Sequence, residues 1–278
     1  MAGPLTWWRL ELAYDGTPFA GWARQPGRRT VEGELEAALA TVLGEPVRLS
    51  VAGRTDAGVH ALAQVASLAT TTDVEPRRLL LALSALLPPE ISVTAVARAA
   101  AGFDARAAAA RTYRYRLWLP DWRPVFDRAC VWDVRGAVDL ALLDAAAALL
   151  PGRRDFAALT PSARFYRTCE REVRQAVWRP AADGREAWFE ITADSFLHNM
   201  VRVAVGSMVD IALGRMSLAA FATGLDGGRR AALGQTAPAR GLALVRVDYA
   251  AGPGGVGSAR ASVNDAGTRR RRGAAPTG

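Results

Sequence analysis

The residues Ala52-Gly53-Arg54-Thr55-Asp56-Ala57-Gly58-Val59-His60 form the densest polar cluster of the chain. Strand-like stretches at 47–52 and 62–69 enclose this cluster, so it is predicted to be a loop between two strands. Glycines flank the acidic residue, and glycine lets a backbone pass close to a ligand. On composition alone, the ordinary interpretation is a turn in which Asp56 bonds its own backbone. The alternative is a nucleophilic or acid–base carboxylate that the neighbouring Arg54 would keep ionised at neutral pH.

Hydrophobic periodicity on both sides of this loop predicts a mixture of strands and helices. Apolar and polar residues alternate over 8–14, which is typical of a strand with one buried face. Apolar residues recur every four positions over 31–43, which is typical of a helix, and Thr30 precedes that helix as a possible N-cap. The same criteria predict further strands at 91–97, 113–119, 171–179, 186–193 and 242–249, and further helices at 79–87, 138–150 and 196–214.

The order of these elements predicts the fold class and the domain organisation. Strands and helices mix without a regular βαβ rhythm, which favours an α+β fold with largely antiparallel sheets. A second unit begins after an alanine-rich stretch, so we predict an N-terminal α+β half over 1–107 that carries the catalytic candidate Asp56 and a C-terminal α+β half over 108–250. Residues 251–278 are rich in Gly, Ala, Ser and Arg without apolar periodicity, and are predicted to be a disordered basic tail.

Composition excludes several classes of protein. With 278 residues, 50% of them apolar, the chain can bury sizeable cores without disulfides or metal. No apolar run approaches the roughly 18 residues that a bilayer crossing needs, and no secretory signal is visible, so we expect a cytoplasmic protein with no membrane partner. Two cysteines and two histidines, without Cys-x-x-Cys spacing, argue against a structural zinc site.

The charge balance indicates a polyanionic partner. Thirty-five basic residues, all of them arginine, against 27 acidic residues give a net charge of +8 and a pI near 10.5, a balance that favours nucleic acid. Residues 251–278 contain five arginines and one aspartate, so half of the net charge lies there and the rest of the chain is only mildly basic. We hypothesise that this tail attracts RNA non-specifically.

Five motifs resemble those of the tRNA pseudouridine synthase A family. The most specific is Gly53-Arg54-Thr55-Asp56-Ala57-Gly58-Val59-His60-Ala61, which closely resembles the signature of that family. The others stand in family order around it, between Tyr14 and about Tyr249. They are Tyr14-Asp15-Gly16 with Phe19, Gly21 and Trp22; Phe103-Asp104-Ala105-Arg106 followed by Arg111-Thr112-Tyr113-Arg114-Tyr115; Phe196-Leu197-His198-Asn199-Met200-Val201-Arg202; and Gly234-Gln235-Thr236-Ala237-Pro238-Ala239.

The resemblance implies an isomerase that converts uridine to pseudouridine at positions 38, 39 and 40 in the anticodon stem-loop of tRNA. It implies that Asp56 is the catalytic nucleophile, that the catalytic Arg202 pairs with this carboxylate, and that the ring of Tyr113 lies against the target base. Arg54 is expected to bind substrate by filling the space of the displaced base. No cofactor is expected, because uracil leaves C1′ through N1 and returns through C5 without redox change. A homodimer is also implied, as is the pseudouridine synthase fold, with two halves joined around a central cleft.

Each of these residues also has an ordinary structural interpretation. Without the resemblance, Arg202 would be a solvated helix charge and Tyr113 a strand aromatic in the core, and His60 is interpreted as structural. Two other functions stay open as alternatives. A non-catalytic RNA-binding protein on the same scaffold would have no need to keep all the catalytic residues. A hydrolase or phosphotransferase with an Asp nucleophile would need metal-binding carboxylates near Asp56, and the loop offers none.

Overall fold

The computed structural model describes residues 4–250 and 259–260. The strands are Thr6–Tyr14 (β1), Ser50–Val51 (β2), His60–Thr70 (β3), Ile91–Arg98 (β4), Ala110–Trp118 (β5), Trp132–Asp133 (β6), Gly152–Asp155 (β7), Glu170–Pro180 (β8), Glu186–Ala193 (β9), Leu242–Asp248 (β10) and Ala259–Arg260 (β11). The α-helices are Val31–Leu43 (α1), Pro76–Leu86 (α2), Leu140–Ala147 (α3), Met200–Ala212 (α4) and Leu218–Asp226 (α5).

All the described strands belong to one mixed sheet, whose main order is β4-β1-β3-β10-β5-β9-β8-β7. The two predicted halves meet at β10, which pairs in parallel with β3 through Ala243 and Leu244 and antiparallel with β5. The other neighbours in the main order are antiparallel. The predicted α+β fold with largely antiparallel pairing is therefore confirmed. The pairing of β3 with β10 joins the two halves. It places the end of the loop at 52–60 beside β10, a strand of the second half.

Capping residues and apolar faces explain the helices. Thr30 caps α1 by accepting a hydrogen bond from Gly33 N, and the helix ends at Gly44, which has a φ of 73°. The predicted N-cap is thus confirmed. Helix α4 buries 11 of its 13 residues and packs against α3, so it forms the centre of the core in the second half. None of the helices in the described ranges is long and apolar enough to span a bilayer.

The helix predicted at 196–214 begins later than periodicity indicates, at Met200. Asn199 precedes it with a φ of 61°, in the left-handed region that is costly for most residues with a side chain. Residues 196–199 therefore form a turn ahead of the helix instead of its first turn. Helix α5, which follows its N-cap Ser217, and the short strand β7 are further elements that the periodicity analysis did not predict.

The predicted disordered tail over 251–278 lies outside the described residues, with the exception of β11. Ala259 is buried and pairs with Val247 of β10. The prediction of disorder is therefore wrong for 259–260. A strand of two residues is too short to produce the alternating pattern from which strands are predicted.

Candidate active site

The segment 52–60, here called the Asp56 loop, connects β2 to β3 and is held by side chains of β1 and β3. The hydroxyls of Thr55 and Tyr14 share a hydrogen bond of 2.7 Å. The Gln64 amide donates to the carbonyl oxygen of Gly53 at 2.7 Å and to the Tyr14 hydroxyl at 3.2 Å. Because these groups are buried, the bonds between them define one conformation of the loop.

The backbone of the first motif approaches the Asp56 loop too closely to allow a side chain at Gly21. Trp22 N donates to the carbonyl oxygen of Thr55 at 2.9 Å. Gly21 has a φ of 102°, and a Cβ atom at this position would lie 2.8 Å from the Thr55 carbonyl oxygen and 3.2 Å from the carbonyl carbon of Asp56. Glycine alone tolerates both conditions. The motif that begins at Tyr14 therefore packs directly against the backbone of the Asp56 loop.

His60, the last residue of the Asp56 loop, fixes the end of the loop through contacts of its ring with three backbone groups. Its ring is buried, and Nδ1 accepts a hydrogen bond from Gly16 N at 3.1 Å. Nε2 lies 2.9 Å from the carbonyl oxygen of Ala129 and 3.1 Å from that of Arg240, so Nε2 is the donor. These backbone contacts are those of a structural residue.

Asp56 faces a cavity of about 420 Å³. Its side chain is 34% exposed, and Oδ1 lies 3.7 Å from His198 Nε2, the one basic side-chain nitrogen within 4.0 Å of the carboxylate in the described ranges. The carboxylate is therefore open to solvent and to a substrate. Both halves contribute to the wall of the cavity, which includes Arg54, Arg111, Tyr113, Tyr166, Phe196 and Leu242.

Tyr113 lies in the same cavity wall and is buried. Its ring makes an edge-on contact with Phe196, with 5.0 Å between ring centroids and an interplanar angle of 84°. Burial raises the pKa of the Tyr113 hydroxyl well above its ordinary value, and the nearby Tyr14 and Asp56 raise it further. The phenol is consequently neutral at physiological pH. It presents a polar group and an aromatic ring to the space beside the carboxylate.

Arg202 lies in the first turn of α4, where its guanidinium is held by other partners. Nε donates to the carbonyl oxygen of Ala237 at 2.8 Å, and Nη1 donates to Asn199 Oδ1 at 2.7 Å. The backbone of Ala237 also donates to Arg202 O at 3.0 Å. The structure does not bring Arg202 and Asp56 within ion-pair distance, although both residues are in the described part of the chain. The motif at 196–202 is instead joined to the motif at 234–239.

Arg54 is exposed at the cavity. It makes neither an ion pair nor a side-chain hydrogen bond with any residue in the described ranges. Its guanidinium is thus available to an anionic partner. The structure brings Arg54, Asp56 and Tyr113 together around one cavity and places Arg202 outside its wall.

Sequence reasoning did not identify Arg111 as a site residue. Its buried guanidinium donates to the carbonyl oxygen of Ala52 at 2.8 Å, to that of Asp194 at 2.7 Å and to that of Ala108 at 2.6 Å. Burial lowers its pKa from the ordinary value. Arg111 therefore ties the start of the Asp56 loop to β5 and to the end of β9. Its place just before the strand predicted at 113–119 gave no signal of these bonds, because they depend on the final order of the strands in the sheet.

Sequence reasoning also gave no role to His198. Its Nδ1 lies 2.8 Å from Ser162 Oγ, and its backbone N donates to the Tyr166 hydroxyl at 2.9 Å. These contacts hold the imidazole with Nε2 towards Asp56. The motif contains His198, but its partners lie in a segment between β7 and β8 that carries no motif, so the sequence offered no sign of the contact.

The buried Tyr14 hydroxyl predicts a loss of stability at alkaline pH. Burial raises the pKa of Tyr14 to about 12, against an opposing effect of its hydrogen bonds with Thr55 and Gln64. Above pH 10 the unfolded chain loses this proton while the folded chain keeps it, so stability falls by about 1 kcal/mol per pH unit up to pH 12. Thermal unfolding at pH 9 and pH 11 should show a smaller decrease for Tyr14→Phe than for the parent. Equal decreases would show that Tyr14 does not contribute.

The chain is similar to known proteins over most of its length. The sequence model of a family described as tRNA pseudouridine synthase matches residues 12–106 and 146–250. Three relatives named tRNA pseudouridine synthase A are among the similar proteins. That of Moorella thermoacetica is 40% identical over 244 residues, covering 87% of this chain and 98% of the relative. That of Solidesulfovibrio magneticus is 42% identical over 264 residues, covering 90% and 93%. That of Cutibacterium acnes is 41% identical over 249 residues, covering 88% and 89%. Because the family model matches more than half of the chain, including the Asp56 loop and the pairing of β3 with β10, and the relatives are about 40% identical over most of it, the chain belongs to the tRNA pseudouridine synthase family of isomerases.

Proposed function

We propose that this chain isomerises uridine to pseudouridine at positions 38, 39 and 40 in the anticodon stem-loop of tRNA, with Asp56 as the nucleophile. The observation that carries the proposal is the partly exposed Asp56 carboxylate, which faces a cavity walled by aromatic rings and arginines. Enzymes that act on a base take it out of the stack and hold it in such a pocket. The family membership supports the reaction, and the stem-loop positions and the nucleophile are part of the proposal.

The isomerisation requires a nucleophile and a pocket that holds the detached uracil. The C1′–N1 bond breaks, the detached uracil turns, and a C1′–C5 bond forms. The proton on C5 leaves to solvent and N1 gains one, so atoms and electrons balance without an oxidant or a reductant. A carboxylate such as Asp56 can hold the intermediate covalently, by addition either to C6 of the base or to C1′ of the sugar.

The surrounding residues suit distinct tasks in this reaction. The ring of Tyr113 lies beside the carboxylate, where a flipped uracil could stack on it. Arg54 is free to contact the RNA strand or to fill the space that the base leaves. Arg202 has its Nε and Nη1 engaged by Ala237 and Asn199. We propose that its remaining amine pairs with Asp56 when substrate is bound.

The proposal extends to the assembly and the compartment. We expect a homodimer whose clefts are lined by both subunits, acting in the cytoplasm on tRNA. Light scattering of the purified protein during gel filtration tests the first point. A mass of one chain at the concentrations used for catalysis would contradict it.

Tritium release tests the reaction and the position together. The protein is incubated in EDTA with tRNA whose uridines carry tritium at C5, because formation of the C1′–C5 bond expels that label into water. We expect release from this tRNA and none from a matched tRNA in which cytidine replaces uridine at positions 38, 39 and 40. Equal release from both RNAs would contradict the positions while leaving the isomerisation in place.

The same experiment separates the two alternative functions. A protein that binds tRNA without releasing tritium would be a non-catalytic RNA-binding protein. Turnover that requires a divalent metal would favour the hydrolase or phosphotransferase. In the described ranges, no group of three or more His, Cys, Asp or Glu side chains is arranged to hold a metal ion.

A further inference from the structure

An exposed aromatic residue, Phe165, is the chain neighbour of a cavity-wall residue and lies on a segment outside the five motifs. Phe165 is 74% exposed. It lies between β7 and β8 in a short 3₁₀ turn, and the guanidinium carbon of Arg164 lies 4.7 Å from the centroid of its ring. The Arg164 guanidinium covers one face of the ring. The neighbouring Tyr166 is part of the cavity wall.

The segment that carries Phe165 is fixed to the active site on both sides of this residue. Ser162 Oγ lies 2.8 Å from Nδ1 of His198, and the Tyr166 hydroxyl accepts a hydrogen bond from His198 N at 2.9 Å. Phe165 N donates to Ser162 O at 2.9 Å. Since His198 faces Asp56, the exposed ring is held by contacts that reach the carboxylate.

The charges around Phe165 suit a nucleic acid better than a protein partner. Arg164 and Arg167 are exposed, and neither makes an ion pair with an acidic residue of the described ranges. Both are therefore available to phosphate oxygens. An aromatic ring flanked by free arginines has the composition of the stacking platforms that bind single-stranded nucleic acid. A single exposed phenylalanine is ordinary on a surface, but this one is next in the chain to Tyr166, which is part of the cavity wall.

We propose that Phe165, with Arg164 and Arg167, forms a second RNA subsite beside the catalytic cavity. An unpaired nucleobase next to the flipped uridine stacks on the free face of the Phe165 ring, and the two arginines contact the adjoining phosphates. This inference rests on the proposed function, because it assumes an RNA substrate whose target uridine enters the cavity. It adds a contact with a neighbouring nucleotide, which the catalytic residues do not provide.

A substitution series at Phe165 tests the stacking. Phe165→Ala and Phe165→Leu should each raise KM for an anticodon stem-loop RNA roughly tenfold with kcat unchanged, since stacking on one aromatic ring contributes that order of affinity. Phe165→Trp should keep the parent KM. Phe126→Ala is the matched control, because Phe126 is 98% exposed and lies outside the cavity wall. An unchanged KM in Phe165→Ala, or full activity in Phe165→Leu, would overturn the subsite.

Abasic RNAs identify the stacked nucleotide. A single abasic site is placed in turn at each position flanking the target uridine. At one position it should raise the KM of the parent by the same factor as Phe165→Ala, and the two changes together should raise KM no further. Additive effects at every position would contradict the proposed contact. Absence of turnover by the parent would overturn the proposed function and this inference together, whereas turnover with an unaffected Phe165→Ala would overturn the inference alone.

Discussion

Asp56→Asn is expected to lower kcat for tritium release by at least about 10³-fold and to leave the affinity for tRNA close to that of the parent. The carboxamide has nearly the same shape as the carboxylate but cannot act as a nucleophile, and loss of a nucleophile has effects of this size or larger. The side chain is partly exposed, and its carboxylate lies 3.7 Å from His198 Nε2, beyond hydrogen-bond distance. Its replacement should therefore change the free energy of unfolding by less than about 1 kcal/mol.

A matched substitution separates catalysis from a general effect of lost charge. Asp73→Asn removes a carboxylate that is 59% exposed and pairs with Arg98, outside the cavity wall. This variant should release tritium at the parent rate. If Asp56→Asn also kept the parent rate, Asp56 would not be the nucleophile. If it unfolded at a lower temperature than the parent and bound tRNA poorly, the loss of activity would reflect structure.

The elements that sequence reasoning located are those whose cause is local. The apolar spacing and the N-cap Thr30 lie within one stretch of chain, so α1 was predicted with its observed bounds of 31–43. The start of α4 was not predicted correctly. Asn199 is in the left-handed conformation and its side chain contacts Arg202, and hydrophobic periodicity encodes neither feature. The position of β10 between β3 and β5 is likewise a long-range pairing.

In the candidate site, too, features with a local cause were predicted and long-range contacts were not. The Asp56 loop was predicted from its glycines and its polar cluster, and its approach to Tyr113 followed from the family resemblance. Two sets of contacts could not be predicted, those of Arg111 with the backbone carbonyls of Ala52 and Asp194 and that of His198 with Ser162. Both join residues more than 30 positions apart, as in the bond from Arg111 to Ala52, and carbonyl groups leave no signature in a sequence.

Gly206→Ala should destabilise the fold and disturb the site through a contact that no motif spacing indicates. Gly206 is buried in α4, and a Cβ atom there would overlap the carbonyl oxygen of Gln235 and lie 2.8 Å from its carbonyl carbon and 3.1 Å from Ala237 N. These are backbone atoms, so a change of rotamer cannot relieve the overlap. Forcing such a contact apart costs about 3 kcal/mol, of which the better helix propensity of alanine offsets about 1 kcal/mol.

Thermal unfolding measures this effect, and a second helical glycine is the control. A net loss of about 2 kcal/mol should lower Tm by about 4–8 °C for a chain of this size. Gly33→Ala in α1 is the same substitution where an added Cβ meets only the Thr30 hydroxyl, at 3.0 Å, so its Tm should stay within a few degrees of the parent. Equal Tm values for the two variants would contradict the argument.

The same displacement should also lower the rate of isomerisation. The segment that Gly206→Ala pushes away carries Ala237, whose carbonyl oxygen holds Arg202 Nε and whose N–H donates to Arg202 O. With that support moved, the Arg202 guanidinium would no longer be held in the position from which we propose that it pairs with Asp56. We therefore expect kcat to fall while KM for tRNA stays near the parent value, measured at a temperature well below both Tm values. A variant that unfolds early but turns over at the full rate would show that the Ala237 contact serves stability alone.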